Sequence, residues 1–250
     1  MNQPILKLEN ISKVYTDSVG YKIHLLENIS IDIFKKGCST ILAPKGSGKS
    51  SLLKIISNLD KETSATIEKS VSRIAYIPSS PSSFPWMNVN DNIEFGLENN
   101  NSDVSGSIEL VGLKGYEDHY SHNKSEGFRF RIALARALAN SPEVIVIDEP
   151  FTNLNSTTRQ EIYFLMRKVI VETKVTFVFG TANITEAIFL SDEIFLMKKK
   201  PGEIIDKIKI DLPIDRQNKL LESKEFIEYR NSIEDIYQNK LGRLLYNFSV

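Results

Sequence analysis

Gly46, Ser47, Gly48, Lys49 and Ser50 stand together in the segment Ala43-Pro44-Lys45-Gly46-Ser47-Gly48-Lys49-Ser50. These residue types suit the holding of a polyphosphate. The two glycines let the backbone wrap closely round phosphate oxygens, and successive N–H groups there favour an anion. Lys49 would reach the outer phosphates, and Ser50 would offer its hydroxyl to a magnesium ion. A second chemical pair, Asp148 and Glu149, closes the apolar run Val144-Ile145-Val146-Ile147. Asp148 is suited to holding Mg2+, directly or through water. Glu149 is suited to polarising an attacking water as a general base.

This chemistry needs a strand to deliver the glycine loop and a helix to follow it. Thr40 to Ala43 is a short apolar strand, and from Ser50 onward Leu52, Ile55, Ile56 and Leu59 recur with helical spacing. Strand, loop and helix give the P-loop context, with Ala43 where the strict pattern has glycine. Ala43 precedes the wrapping part of the loop, which is compatible with its methyl. Val144 to Ile147 has the look of a strand buried on both faces. In a parallel sheet ligands bind at the carboxyl ends of strands, which is where Asp148 and Glu149 fall.

The remaining pattern agrees. Ile5 to Glu9 and Ile29 to Ile33 alternate as half-buried strands do. Arg73 to Ile77 is strand-like, residues 79–90 are loop-like, and residues 89–139 are more helical, broken by a polar stretch at 98–107. Thr157 to Val171 carries a helical stripe, and Val175 to Gly180 is another buried strand. Ile194 to Met197 and Glu203 to Ile210 flank Lys200-Pro201-Gly202, a hairpin turn. The tail from Ser223 to Leu245 predicts an amphipathic helix with Phe226, Tyr229, Ile233, Ile236 and Tyr237 on its apolar side. Buried strands alternating with helices imply an α/β fold with a parallel sheet.

Composition sets outer limits. The chain of 250 residues is 41% hydrophobic and 25% charged, which excludes disorder throughout. A formal net charge of −1 gives no basic field for nucleic acid. The single cysteine, Cys38, excludes a disulfide framework and suits a reducing cytoplasm as a small buried residue. Residues 1–4 show no signal-peptide pattern, and no run approaches the ~18 apolar residues of a membrane span. Work at a membrane would require another chain as anchor. His119 and His122 lack a third ligand, so the sequence points to no zinc-type site.

The chain resembles the ATP-binding subunits of ABC transporters. The resemblance covers nearly the whole length. Its specific parts are Arg131-Ile132-Ala133-Leu134-Ala135-Arg136-Ala137-Leu138 before the acidic strand and Thr185-Glu186-Ala187 after the next one. Pro85-Trp86-Met87-Asn88-Val89, Asp91-Asn92-Ile93, Leu212-Pro213 and the tail look like the nitrate/sulfonate/taurine importer branch. The resemblance implies a P-loop NTPase fold: a RecA-like core with an antiparallel β portion and an inserted helical subdomain at about residues 79–141. The ATP-binding domain would span residues 1–220 and a C-terminal helical extension residues 221–250. It implies MgATP bound by Tyr15, Pro44, Lys45, Gly46, Ser47, Gly48, Lys49, Ser50 and Ser51, with Tyr15 stacked on adenine. Ser50 and Asp148 would hold Mg2+, and Glu149 would be catalytic. Two such domains, in a homodimer or heterodimer, pair head to tail, so that Ser125 and Gly127 face the ATP of the partner. The implied partners are integral-membrane permease subunits, with a solute-binding protein reached through the complex. The implied place is the cytoplasmic face of the cell membrane.

Four motifs depart from the family pattern. The signature LSGGQ reads Lys124-Ser125-Glu126-Gly127-Phe128, with a carboxylate for its first glycine. Two like charges ~6 Å apart at an effective dielectric of ~20 repel by about 3 kcal/mol. Ser79 stands for the Q-loop glutamine, Ala182 for the switch histidine and Asn155 for the D-loop aspartate. Two readings follow: a transport ATPase of reduced activity, or a nucleotide-binding structural subunit beside a competent ATPase. A soluble ABC regulator fits less well with Pro85-Trp86. A P-loop kinase would not need the 131–138 segment.

Overall fold

The computed structural model describes residues 3–80, 83–97, 103–122 and 124–241. The polar stretch at 98–107 lies partly, and the tail beyond 241 wholly, outside the described residues. Two long strands, β1 (Leu6–Thr16) and β2 (Lys22–Ile33), lead to β3 (Gly37–Leu42) and α1 (Lys49–Ile56). β4 (Ser64–Lys69) and β5 (Ile74–Ile77) precede the helical insert of α2 (Val89–Glu94), α3 (Val104–Leu110) and α4 (Glu126–Ala139). Strands and helices then alternate: β6 (Val144–Asp148), α5 (Ser156–Glu172), β7 (Thr176–Thr181), α6 (Ile184–Leu190) and β8 (Glu193–Met197). β9 (Ile204–Lys209) and α7 (Lys224–Leu241) follow.

The six-stranded sheet has the order β5-β6-β7-β3-β8-β9, parallel from β5 to β8 and closed by antiparallel β9. A second, antiparallel sheet has the order β2-β1-β4. Alternation along β6 divides the interior. Val144 and Val146 face a core shared with α1 and the antiparallel sheet, while Ile145 and Ile147 face the helices. Full burial of such a side chain stabilises by roughly 1.5–3 kcal/mol. That explains why these strands read as unbroken apolar runs. α7 belongs to the helical side, with Phe226, Ile233 and Tyr237 inside that core. Cys38 is buried, and burial pushes its thiol up to about 12.

Two elements differ from the pattern reading for local reasons. β1 runs well past Glu9, because Asn10 at φ 55° and register shifts beyond Leu8 flip the strand's faces and interrupt the alternation. α1 stops at Ile56, short of Leu59. Asn58 adopts φ 59°, and Leu59 N–H bonds the Lys54 carbonyl while Asn58 N–H bonds that of Ile55. This left-handed cap ends the helix and leaves Leu59 exposed.

The segment after β9 is tied down by charge. Arg216 donates to the carbonyls of Ile188, Phe189 and Ser191, and Arg167 to that of Leu190. The two guanidiniums thus satisfy the open carbonyl end of α6, where positive charge is favourable. Burial, with Arg167 close by, pulls Arg216 down to about 10.

Candidate functional site

The glycine loop leaves the end of β3 and enters α1 at Lys49. Gly46 and Gly48 have φ of 77° and 91°, a region that side-chain-bearing residues avoid. At Gly48 a Cβ would also lie 2.6 Å from Leu26 Cδ2, so space and backbone both select glycine there. Ser47 N–H closes the turn on the Pro44 carbonyl, and Lys49 N–H bonds Ser47 Oγ. Ala43 is buried in the core beneath α1, and its N–H pairs with the Thr181 carbonyl. Its methyl therefore points into packing and leaves the loop clear.

The loop edges a cavity of about 390 Å³ lined by Leu25, residues 44–51, Ser79, Asp148 and Glu149. Every loop residue from Pro44 to Ser51 is brought to one place, together with the acidic pair. Tyr15, Ser125 and Gly127 are not among the lining residues.

Lys49 is 4% exposed and spans the cavity floor. Its Nζ lies 3.1 Å from Asp148 Oδ1 and 2.8 Å from Glu149 Oε1. The crossing from β3 to β6 passes over the end of β7, where a glycine makes room. A Cβ on Gly180 would sit 2.4 Å from Leu53 Cδ1 and 3.2 Å from the Lys49 stem. Tyr76, on β5, donates its hydroxyl to Asp148 Oδ2 at 3.3 Å, and burial beside that carboxylate holds the phenol well above its ordinary pKa. Asp148 is thereby fixed through both oxygens. Glu149 follows the strand at φ 40°, a conformation uncommon for a non-glycine residue. Its N–H bonds the Gly180 carbonyl at 2.8 Å. Ser50 and Asp148 supply hard oxygen donors to one cavity, the donor type that Mg2+ takes in company with phosphate oxygens. The residues present fit that ion.

Ala182 is buried between Thr181 and Asn183. Thr181 and Tyr163 donate to the two oxygens of Glu186, whose carboxyl is raised by burial despite those bonds. Asn183 caps α6 through Glu186 N–H. In the sequence Glu186 stands in the family segment Thr185-Glu186-Ala187 and interrupts an apolar run, and neither feature gives it a role at the site. Its place between Ile184 and Ala187 on a short apolar helix was the signal that it is buried. Tyr76 carried no signal beyond its place on a strand.

Ser125 is the N-cap of α4, its Oγ accepting from Phe128 N–H. Gly127 is needed for packing, since a Cβ there would lie 2.6 Å from Thr158 Cγ2 on α5. Glu126 occupies the first turn of α4, where a carboxylate is favoured by the helix dipole, and lies 3.8 Å from Arg129. Asn155 caps α5 by accepting from Thr158 N–H at 2.9 Å. Tyr15, next to last in β1, is exposed. Its hydroxyl bonds Asp60 at 3.1 Å, and Lys13 Nζ stands 4.9 Å from its ring centre. Among the described residues no helix is long and apolar enough to cross a membrane.

The family model described as ABC transporter matches residues 26–152. An uncharacterized ABC transporter ATP-binding protein of Methanocaldococcus jannaschii is 33% identical, over 96% of this chain and 94% of that protein. The aliphatic sulfonates import ATP-binding protein SsuB of Bacillus cereus is 34% identical, over 96% of this chain and 98% of its own. The nitrate import ATP-binding protein NrtD of Synechocystis is 28% identical, over 94% of this chain and 96% of its own. Among solved structures, a dimeric ATP-binding cassette in a post-hydrolysis state, bound to ADP and Pi, superposes with a TM-score of 0.70 at 27% identity. That match covers 83% of this chain and 100% of the other.

Proposed function

The chain belongs to the ABC transporter family, and from that premise we propose that it is the ATP-binding subunit of an importer, binding MgATP well and hydrolysing it slowly. The solute class of its relatives, aliphatic sulfonates and nitrate, suggests a small oxyanion as cargo carried by partner permease subunits. The observation that carries the reading is the cavity uniting residues 44–51 with Asp148 and Glu149, with Lys49 bridging the carboxylates.

In this account the amides of residues 46–49 wrap the phosphates, and Lys49 leaves its two carboxylates for the outer phosphate oxygens. Ser50 and Asp148 would hold Mg2+, which would supply positive charge against that of the phosphates. Freed from Lys49, Glu149 orients a water and accepts its proton. Tyr15, already steadied by Asp60 and Lys13, takes one face of the adenine. Ser125 and Gly127 meet the nucleotide of a second subunit.

Slow hydrolysis follows from the side chains around the terminal phosphate. Ser79 lines the cavity with a hydroxyl too short for a glutamine's reach. Ala182 offers a methyl where a hydrogen-bond donor would steady the γ-phosphate. Glu126 presents like charge from the partner's side. The same three residues favour a second reading, in which the chain binds ATP as a structural subunit and a competent ATPase supplies turnover. MgATP hydrolysis by the purified chain, beside Glu149→Gln, separates the two. Turnover that the substitution abolishes supports a working, slow ATPase. Binding with no turnover above the substituted chain supports the structural subunit. A chain that binds no nucleotide overturns both.

A further inference from the structure

The C-terminal helix reaches the glycine loop from behind. Tyr237 on α7 is 1% exposed, and its hydroxyl donates to the Leu42 carbonyl at 2.7 Å. The Met197 carbonyl lies 3.3 Å from the same hydroxyl. Leu42 and Met197 are the last residues of β3 and β8, which are neighbours in the sheet. One phenol therefore ties two strand ends together immediately before Ala43 and Pro44. The hairpin turn that follows Met197 runs close beside the loop and is bonded to β2. Gly202 exchanges hydrogen bonds with Leu25 and Glu27, and a Cβ on it would lie 2.3 Å from the Ser47 carbonyl.

Core packing alone does not ask for this oxygen. A phenylalanine would fill the same apolar space, whereas a buried hydroxyl is retained where it has a partner. The partner here is the last carbonyl of β3 before the chain turns to wrap the cavity. We propose that Tyr237 is a positioning residue for the glycine loop, so that α7 sets nucleotide affinity by fixing the strand end from which residues 43–48 spring. The inference rests on the reading of the cavity as a nucleotide site.

The test uses the full chain, with equilibrium binding of MgATP and MgADP well below the melting temperature. Wild type is compared with Tyr237→Phe and with Ile233→Val, a trim of a buried residue one turn away on α7. Tyr237→Phe is expected to weaken both nucleotides about fivefold, the range of one neutral hydrogen bond. Its amides at residues 45–50 should exchange faster. Ile233→Val should lower the melting temperature while leaving affinity and exchange unchanged. Lys240→Ala gives a second, gentler perturbation, since Lys240 holds the last turn of α7 to Ile205 and Asp206. It should weaken binding in the same direction, about twofold. Binding by Tyr237→Phe within twofold of wild type, or equal weakening by Ile233→Val, overturns the proposal while leaving the nucleotide site intact. Wild-type chain that binds neither nucleotide overturns the site reading, and this inference with it.

Discussion

The two halves of the candidate site were built to different standards. On the phosphate-holding side, residues 44–51, Asp148 and Glu149 line one cavity, and Lys49 is held by two carboxylates. On the side that would sense the terminal phosphate, the backbone devices survive without the side-chain chemistry. Ser125, Asn155 and Asn183 each cap their helices. Yet Ser79, Glu126 and Ala182 replace an amide, a glycine and an imidazole of the family pattern. The loops on this side thus keep their helix caps while, in the proposed reading, the groups that would drive turnover are replaced. Binding and hydrolysis draw on different residues, so they can be broken separately.

The largest effect on binding is expected at Lys49. Lys49→Ala removes two charge-assisted contacts, at roughly 1.5 kcal/mol each, and should weaken MgATP binding on the order of a hundredfold in a titration. Glu149→Gln should leave binding within a few-fold of wild type and reduce any turnover by roughly a hundredfold or more, as loss of a general base does. Glu126→Gly, made in the Glu149→Gln background, removes the like charge. It should strengthen ATP-dependent pairing of subunits about tenfold by sedimentation, a gain smaller than the full ~3 kcal/mol repulsion because solvent screens it. The smallest effect separates cap from chemistry. Asn155→Ala should cost about 1 kcal/mol and lower the melting temperature by a few degrees, whereas Asn155→Asp keeps the cap and the stability.

Much of the fold was legible because its strongest signals are local. The run ending in Asp148 is apolar on both faces, and the loop glycines are demanded by backbone conformation. Both read directly from residue type. The missed features depend on groups far apart in the chain. Tyr76 reaches Asp148 on the neighbouring strand from 72 residues away, and Tyr237 meets Leu42 from 195 residues away. No spacing rule within one element announces such a contact. Nothing in the spacing around Arg216 marks it as the residue that closes the end of α6. The overrun at Leu59 has a different cause. Helical periodicity continued past Asn58, and only the left-handed cap there shows where the helix ends.

The central claim is that nucleotide binding is intact while turnover is limited by Ser79, Glu126 and Ala182. It is tested most directly by measuring MgATP affinity and steady-state hydrolysis on the purified chain, beside a variant carrying Ser79→Gln, Glu126→Gly and Ala182→His together. The account predicts saturable binding by both proteins. It also predicts wild-type turnover well below the ~1 per second at the low end of ordinary enzymes, rising at least about tenfold in the restored variant. Wild-type turnover of about 1 per second or more that Glu149→Gln abolishes, with no gain on restoration, would contradict it.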